Sequence, residues 1–270
     1  MLYLYSRNAS PKNKGGTEKL EELLIRKYSI SKINSFEELT RKKGLLILIG
    51  TSLSTVLKVC TYSKCKIFWL KTATYSNKRY IVEYLLNIFL SWKINTIVIT
   101  NTQKKIYPFS IKLDLLDLYK IEKLPENLNA ALQPRYRKYM YGYVGRVDKE
   151  KGFFVAVEII QRLSERYKTV LDLLVWAPGD LEYVPTEKNN LKILTGGRDK
   201  NKPIFTDVEN IILPYESLNT TIAFPLVLLE AVLSGCNVFT TTEVRTLALT
   251  EFPSLAKNVF DLKTLENAND

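Results

Sequence analysis

Short apolar runs alternate along this chain with longer segments whose apolar residues recur at helical spacing. Met1–Ser6 is apolar and alternating and predicts a first strand. Arg7–Gly16 is polar, with Pro11 and a Gly-Gly pair, and predicts a loop; Thr17 then predicts an N-cap for the helical pattern EKLEELLIRKY. Ser35–Lys43 suits a short helix. Gly44–Gly50 (GLLILIG), Lys66–Leu70 (KIFWL) and Asn95–Thr100 (NTIVIT) predict strands, the first two covered on both faces. Thr51–Cys60 and Asn77–Trp92 predict the intervening helices, the second apolar nearly all round. Strands alternating with helices imply a parallel sheet with helices on both sides.

The rhythm breaks between Thr102 and Arg137, where Pro108, Pro125 and Pro134 interrupt mixed charge. This segment predicts a crossover with a short helix near Leu113–Tyr119. A second alternating unit follows: strands at Lys138–Gly145, Val170–Trp176 and Leu191–Leu194, a helix at Gly152–Tyr167, and a basic glycine loop at Gly196–Lys202. The fold class expected is α/β, two Rossmann-like parallel-sheet domains facing a cleft at the strands' carboxyl ends. The division expected is 1–112, a crossover over 113–137, and 138–270, with a C-terminal tail free to return to the first domain.

One stretch organises the second unit. Ile211–Thr241 predicts a buried strand (Ile211–Pro214), a loop, an apolar helix (Pro225–Ser234), a Gly235 stop and another strand (Asn237–Thr240). Pro225 suits a first helical turn and Gly235 the position after the helix end. Glu230 is the one charge in that helix. A carboxylate is costly to bury unpaired, so Glu230 points to a polar ligand, or to a structural pairing with a neighbouring Lys or Arg.

Composition narrows the chemistry. The 270 residues are 46% hydrophobic and 25% charged, enough for one large or two modest globular cores. There is no histidine, which excludes Ser-His-Asp and Cys-His hydrolases, His-ligated zinc and His general bases. Cys60, Cys65 and Cys236 have no metal spacing; reduced thiols fit better than a Cys60–Cys65 pair. The N-terminus lacks a signal-peptide pattern, so the expected location is cytoplasmic. The net charge of +11 is lopsided: residues 1–110 hold 19 Lys/Arg against 6 Asp/Glu, or +13, and the remainder 20 against 22, or −2. A basic first half suits an anionic surface, or is simply a lysine-rich solvated face. The Asn77–Trp92 helix is expected to pack inside the N-terminal domain, with a peripheral membrane position as the alternative.

Two motifs can hold phosphate. In VGRVDKEKG (Val144–Gly152), Arg146 and Lys151 follow a buried strand, where a planar fork and a point charge suit a diphosphate; a solvated basic loop is the alternative. The helix starting at Pro225 offers the Leu226 and Val227 backbone N–H groups, and Gly15-Gly16 offers a second helix N-terminus.

These residues resemble glycosyltransferase family 4, a retaining family with the two-domain glycosyltransferase-B fold. YVGRVDKEKGFFVAVEIIQRL is similar to the start of its C-terminal domain, and AFPLVLLEAVLSGCNVFTT to its donor-site helix. IILPYES resembles the strand and loop before that helix. NKGGTEKLEELL is similar to its N-terminal glycine loop, and NTIVITNTQKKIYPFSI, more loosely, to its linker. The resemblance covers residues 138–245 and, less fully, 1–28.

It implies that Arg146 and Lys151 grip the donor diphosphate and stabilise the leaving group. Leu226 and Val227 would face its phosphates through their backbone, and Glu230 would hold the ribose. Gly15 and Gly16 would let the N-terminal loop approach, and Ala223 and Phe224 would lie along the donor sugar. The base is assigned by position only, near Gly197 and Arg198. The first glutamate of the family's Glu-x7-Glu motif falls at Ile222, so the sugar contact normally made there is missing. The expected function is retaining transfer from a nucleoside-diphosphate sugar to a hydroxyl of a glycan, lipid or protein. No cofactor and no metal are expected. A catalytically weak sugar-nucleotide-binding protein is the alternative. A nucleic-acid-binding protein ranks last, because no such motif is present.

Overall fold

The computed structural model describes residues 1–6, 16–72, 77–119, 137–177, 187–188, 191–195, 205–215 and 223–266, with backbone alone at 77–80, 86–87, 187–188, 191–192, 194–195 and 266. It divides into two compact units, Met1–Lys123 with Thr221–Phe224, and Leu124–Thr220 with Pro225–Asp270.

The first unit runs β1 (Leu2–Ser6), α1 (Gly16–Tyr28), β2 (Ser31–Ile33), α2 (Phe36–Arg41), β3 (Leu45–Ile49), α3 (Leu53–Tyr62), β4 (Lys66–Leu70), α4 (Asn77–Phe89), β5 (Ile94–Val98), α5 (Asn101–Ile106), β6 (Ile111–Lys112) and α6 (Leu115–Leu118). Its six strands pair in parallel in the order β2-β1-β3-β4-β5-β6. The continuous apolar run of β3 behaves as its pattern requires: Leu46, Ile47, Leu48 and Ile49 are all buried, so both faces of the strand are covered. Leu46 and Leu48 join Tyr3, Val56, Ile67 and Trp69 in one core.

Local chemistry sets several boundaries differently from the pattern. Thr17 is not an N-cap, because α1 already includes Gly16. Ser35 caps α2 by accepting from the Glu38 N–H, and Ser52 caps α3 by accepting from Thr55. α5 is a helix that hydrophobic periodicity missed. It is specified by a capping box, Thr100 to the Gln103 N–H and the Gln103 side chain back to Thr100, which satisfies two otherwise orphaned donors. The largest departure is α4. Periodicity placed it inside the domain, yet one face is exposed while Glu83 on the opposite face is fully buried. Glu83 Oε2 lies 2.6 Å from Lys71 Nζ and accepts from the Tyr107 hydroxyl at 3.0 Å. That pair goes into the core with its face of the helix, and removing one partner alone would leave an uncompensated buried charge at a cost of roughly 3–5 kcal/mol.

The second unit runs β7 (Tyr139–Val144), α7 (Phe153–Tyr167), β8 (Leu171–Trp176), β9 (Glu187–Lys188), β10 (Leu191–Thr195), β11 (Val208–Leu213), α8 (Leu226–Leu233), β12 (Asn237–Thr240), α9 (Thr242–Glu251), β13 (Val259–Asp261) and α10 (Leu262–Glu266). Its sheet has the order β13-β12-β11-β7-β8-β10-β9, parallel except for the β9 edge. The chain winds outward from β7 through β8 and β10. It then returns to the other side of β7 as β11. That reversal makes the carboxyl ends of β7 and β11 the switch point where such sheets bind ligands.

α7 buries Phe153, Ala156, Val157, Ile160 and Leu163 at helical spacing, against Tyr143, Leu173 and Val175 of the sheet. Full burial of a side chain such as Phe153 is worth about 1.5–3 kcal/mol. Leu262 and Leu265 pack into this same core and β13 pairs with β12, so these residues belong to the second unit. Pro225 is the N-cap of α8 and not part of its first turn. At the other end Gly235 has φ +78°, and the Arg137 guanidinium donates to the Ser234 and Gly235 carbonyls at 3.0 and 2.8 Å, closing off the helix C-terminus.

Candidate functional site

The predicted phosphate-holding loop sits on the switch point. β7 ends at Val144, and the chain turns through Gly145–Gly152 before entering α7. Asp148 builds the turn: its Oδ1 accepts from the Lys151 N–H at 2.7 Å, and its carbonyl accepts from Phe153 at 3.2 Å. The Tyr143 hydroxyl, at the end of β7, reaches the carbonyls of Arg146 and Lys151 at 2.7 and 3.3 Å. Burial pushes the Tyr143 phenol well above its ordinary value, so it remains a donor. Gly152 closes the loop with φ +73°, and a Cβ there would lie 1.8 Å from the Pro214 carbonyl oxygen. Only glycine permits the loop to lie this close to the end of β11.

Arg146 and Lys151 are presented differently. Arg146 is half exposed, with Nε 3.1 Å from Asp148 Oδ2 and Nη2 3.9 Å from Glu150 Oε2. Such exposed pairs are worth at most about 1 kcal/mol, so an incoming anion displaces them cheaply. Lys151 is half-buried, and its Nζ lies 5.2 Å from the centre of the Tyr215 ring, just past β11. Its pKa falls to about 8, first because burial disfavours the charged form, then because the Arg146 guanidinium is near; Asp148 and Glu150 offset part of this. A partly desolvated ammonium beside a second cation gains most from a bound anion. Hence the VGRVDKEKG and PYES stretches, over 60 residues apart in sequence, meet through Lys151–Tyr215 and Gly152–Pro214.

α8 follows β11 and supplies the remaining predicted donor groups. Leu226 and Val227 are its first two residues, where backbone N–H groups have no partner within the helix. Leu226, Leu228, Leu229, Ala231 and Val232 are buried. Val227 and Glu230, three residues apart, are only half-buried and share the open side of the helix. Glu230 is therefore not the deeply buried carboxylate that the apolar sequence around it suggests. Ala223 and Phe224 are buried side chains, so only their backbone could meet a ligand. Gly16 opens α1. Gly15, Gly197, Arg198 and Ile222 lie outside the described residues.

No protein-family model matches this sequence, and no curated protein matches it. Solved structures do match the fold. A glycosyltransferase from Rickettsia africae ESF-5 superposes with TM-score 0.55 at 14% identity, over 89% of this chain and 79% of that one. The fold is glycosyltransferase-B. A GtfA/B complex (TM-score 0.50, 18% identity, 81% of this chain and 45% of that one) and TarM (0.50, 12%, 73% and 41%) also match. This chain spans less than half the length of those two proteins.

In this glycosyltransferase-B chain, sequence reasoning missed three supports of the loop. Asp148 was legible as the acidic residue three before Lys151, the spacing of a side-chain-to-backbone turn. Tyr143 and Tyr215 carried no signal, since only the β7–β11 pairing gives them a shared neighbour. In the first unit, the Thr51 hydroxyl is buried without a hydrogen-bond partner, two residues beyond the end of β3. Among the described residues, no group of three or more Cys, Asp or Glu could hold a metal ion, and no helix is long and apolar enough to cross a membrane. All three cysteines are free.

Proposed function

We propose that the chain is a retaining glycosyltransferase that takes its sugar from a nucleoside-diphosphate donor. The observation that carries this reading is the pair of cations, Arg146 and Lys151, held on a hydrogen-bonded loop at the switch point of the second sheet. There the diphosphate lies against both cations and the Leu226 and Val227 N–H groups, and Glu230 accepts from the ribose hydroxyls. The resemblance further assigns Gly15 and Gly16 to the donor phosphate, Ala223 and Phe224 to the donor sugar through their backbone, and Gly197 and Arg198 to the base. With no histidine in the chain, the acceptor hydroxyl gives its proton to the departing phosphate oxygen. The new glycosidic bond forms on the face that the phosphate leaves. Arg146 and Lys151 stabilise the charge developing on the leaving group, and the enzyme contributes positioning and preorganised charge rather than a base. No metal is required, because the two cations do that work.

Ile222 favours one second reading, a sugar-nucleotide-binding protein with weak or no transfer. Thermal-shift screening with UDP, GDP, ADP and their sugars, followed by a donor-hydrolysis assay, separates the two. A nucleotide shift with turnover supports transfer, and a shift without turnover supports binding alone. No shift with any nucleotide refutes both.

A further inference from the structure

The first unit exposes an apolar surface that the donor site does not use. Ile81, Val82, Leu85, Ile88, Phe89 and Trp92 are all exposed. At 100° per residue the first five fall within one arc of α4, opposite Glu83, and Trp92 lies in the turn that follows. Phe89 and Trp92 are 74% and 73% exposed. Scattered single apolar residues on a surface mean little, but five on one helix face, with Trp92 just after it, form a patch.

The patch continues beyond the helix. Ile88 and Tyr84 line a pocket of about 370 Å³ together with Pro108 and Phe109, and Phe109 itself is 86% exposed. Ile111, on the edge strand β6, is half exposed nearby in the chain. The charge along this stretch of the chain is mostly basic. Between Asn77 and Lys112 there are six Lys/Arg and one acid. That acid, Glu83, is fully buried against Lys71. Lys105 and Lys112 are exposed, and Lys93 follows Trp92 with its ammonium 5.7 Å from that ring. An apolar helical face with aromatic residues at its end, followed by lysines and with one exposed acid, Asp114, two residues past Lys112, has the chemistry of a helix lying in a lipid interface. A protein partner would need its own acidic rim, whereas an anionic bilayer supplies apolar depth and negative surface together.

We infer that the exposed face of α4, with Phe109, docks this unit onto a bilayer surface carrying anionic phospholipid. The apolar side chains enter the boundary between headgroups and acyl chains, and the lysines meet the lipid phosphates. The docking draws on none of Arg146, Lys151 and Glu230, which belong to the other unit.

Trp92 is a built-in reporter, because the other two tryptophans, Trp69 and Trp176, are buried. The full chain is titrated with phosphatidylcholine vesicles with and without about 30% phosphatidylglycerol, a composition that sets the surface potential. The expected result is a blue shift of Trp92 emission and protection from acrylamide with the anionic vesicles. Raising NaCl from about 0.05 to 0.5 M should weaken that binding at least about tenfold, by screening. Leu85→Ser with Phe89→Ser should weaken it to a similar degree, roughly tenfold, with Tm and the nucleotide thermal shift unchanged. Equal binding to neutral vesicles, or none to anionic ones, overturns the proposal. So does concentration-dependent self-association that the double variant abolishes, which would assign the face to a second copy of the chain.

Discussion

Gly152→Ala tests the loop that carries the candidate site. At φ +73° a Cβ costs about 1–2 kcal/mol by conformation alone. The added methyl would also sit 1.8 Å from the Pro214 carbonyl oxygen, and that neighbour is backbone, not the tip of a flexible side chain. Relieving such overpacking costs typically another 1–3 kcal/mol. Alanine recovers about 0.4–1 kcal/mol by stiffening the unfolded chain. The net expectation is a loss of about 3 kcal/mol from the second domain, or roughly 6–12 °C in its melting temperature. Urea unfolding followed by Trp176 fluorescence measures it. Lys168→Gly is the control: Lys168 has φ +50° after α7, so glycine there removes the same kind of strain with no clash. It should stabilise by up to about 1 kcal/mol. Because the Gly152 carbonyl and Phe153 N–H anchor the start of α7, relief must displace Lys151, and affinity for whichever nucleoside diphosphate gives a thermal shift should fall at least about tenfold along with stability. A Gly152→Ala protein within about 0.5 kcal/mol of wild type, with nucleotide affinity intact, would refute the account of how β11 positions the loop.

Further outcomes follow from other groups. Lys151→Ala should lower kcat about 10²–10³-fold with the fold unchanged, measured as donor turnover; an unchanged rate removes Lys151 from the mechanism. Lys151 is charged below about pH 8 and neutral above it, so nucleoside-diphosphate affinity should fall as pH rises from 8 towards 10, and Lys151→Arg should flatten that profile in calorimetric titration. The same depression means that the unfolded chain holds this proton up to its ordinary value of 10.5, so the Lys151 contribution to stability rises with pH between about 8 and 10.5. Glu83→Leu strands the buried Lys71 ammonium and should cost about 3–5 kcal/mol, whereas adding Lys71→Met should restore most of it. Additive losses in urea unfolding would show that the two groups do not act as a pair.

Much of the architecture was readable because its causes are local. β4 (Lys66–Leu70) was legible to the residue as an apolar run bounded by polar ones. β3 and β7 were read within one residue at each end. The turn of Gly145–Gly152 was legible as a basic loop after a buried strand. What escaped depended on short polar signals or distant partners. β2 is three residues long, too short for a period to show, and α5 is specified by its capping box rather than by apolar spacing. Glu230 was read as buried from its apolar neighbours, and the structure leaves it half-buried because α8 packs through the faces bearing Leu226, Leu229 and Val232.

The amino-acid sequence by itself determined two α/β units, excluded histidine chemistry, and concentrated positive charge in the first half. Each of these is composition or a period of a few residues, so no partner in space is needed to read it. Only tertiary structure decided which groups meet. Strand order sets β11 beside β7, and so brings Tyr215 to Lys151 and Pro214 to Gly152. A helix apolar nearly all round, α4, has no periodic preference for either side. In the fold the Lys71–Glu83 pair lies on its buried face, with Phe89 and Trp92 facing outward.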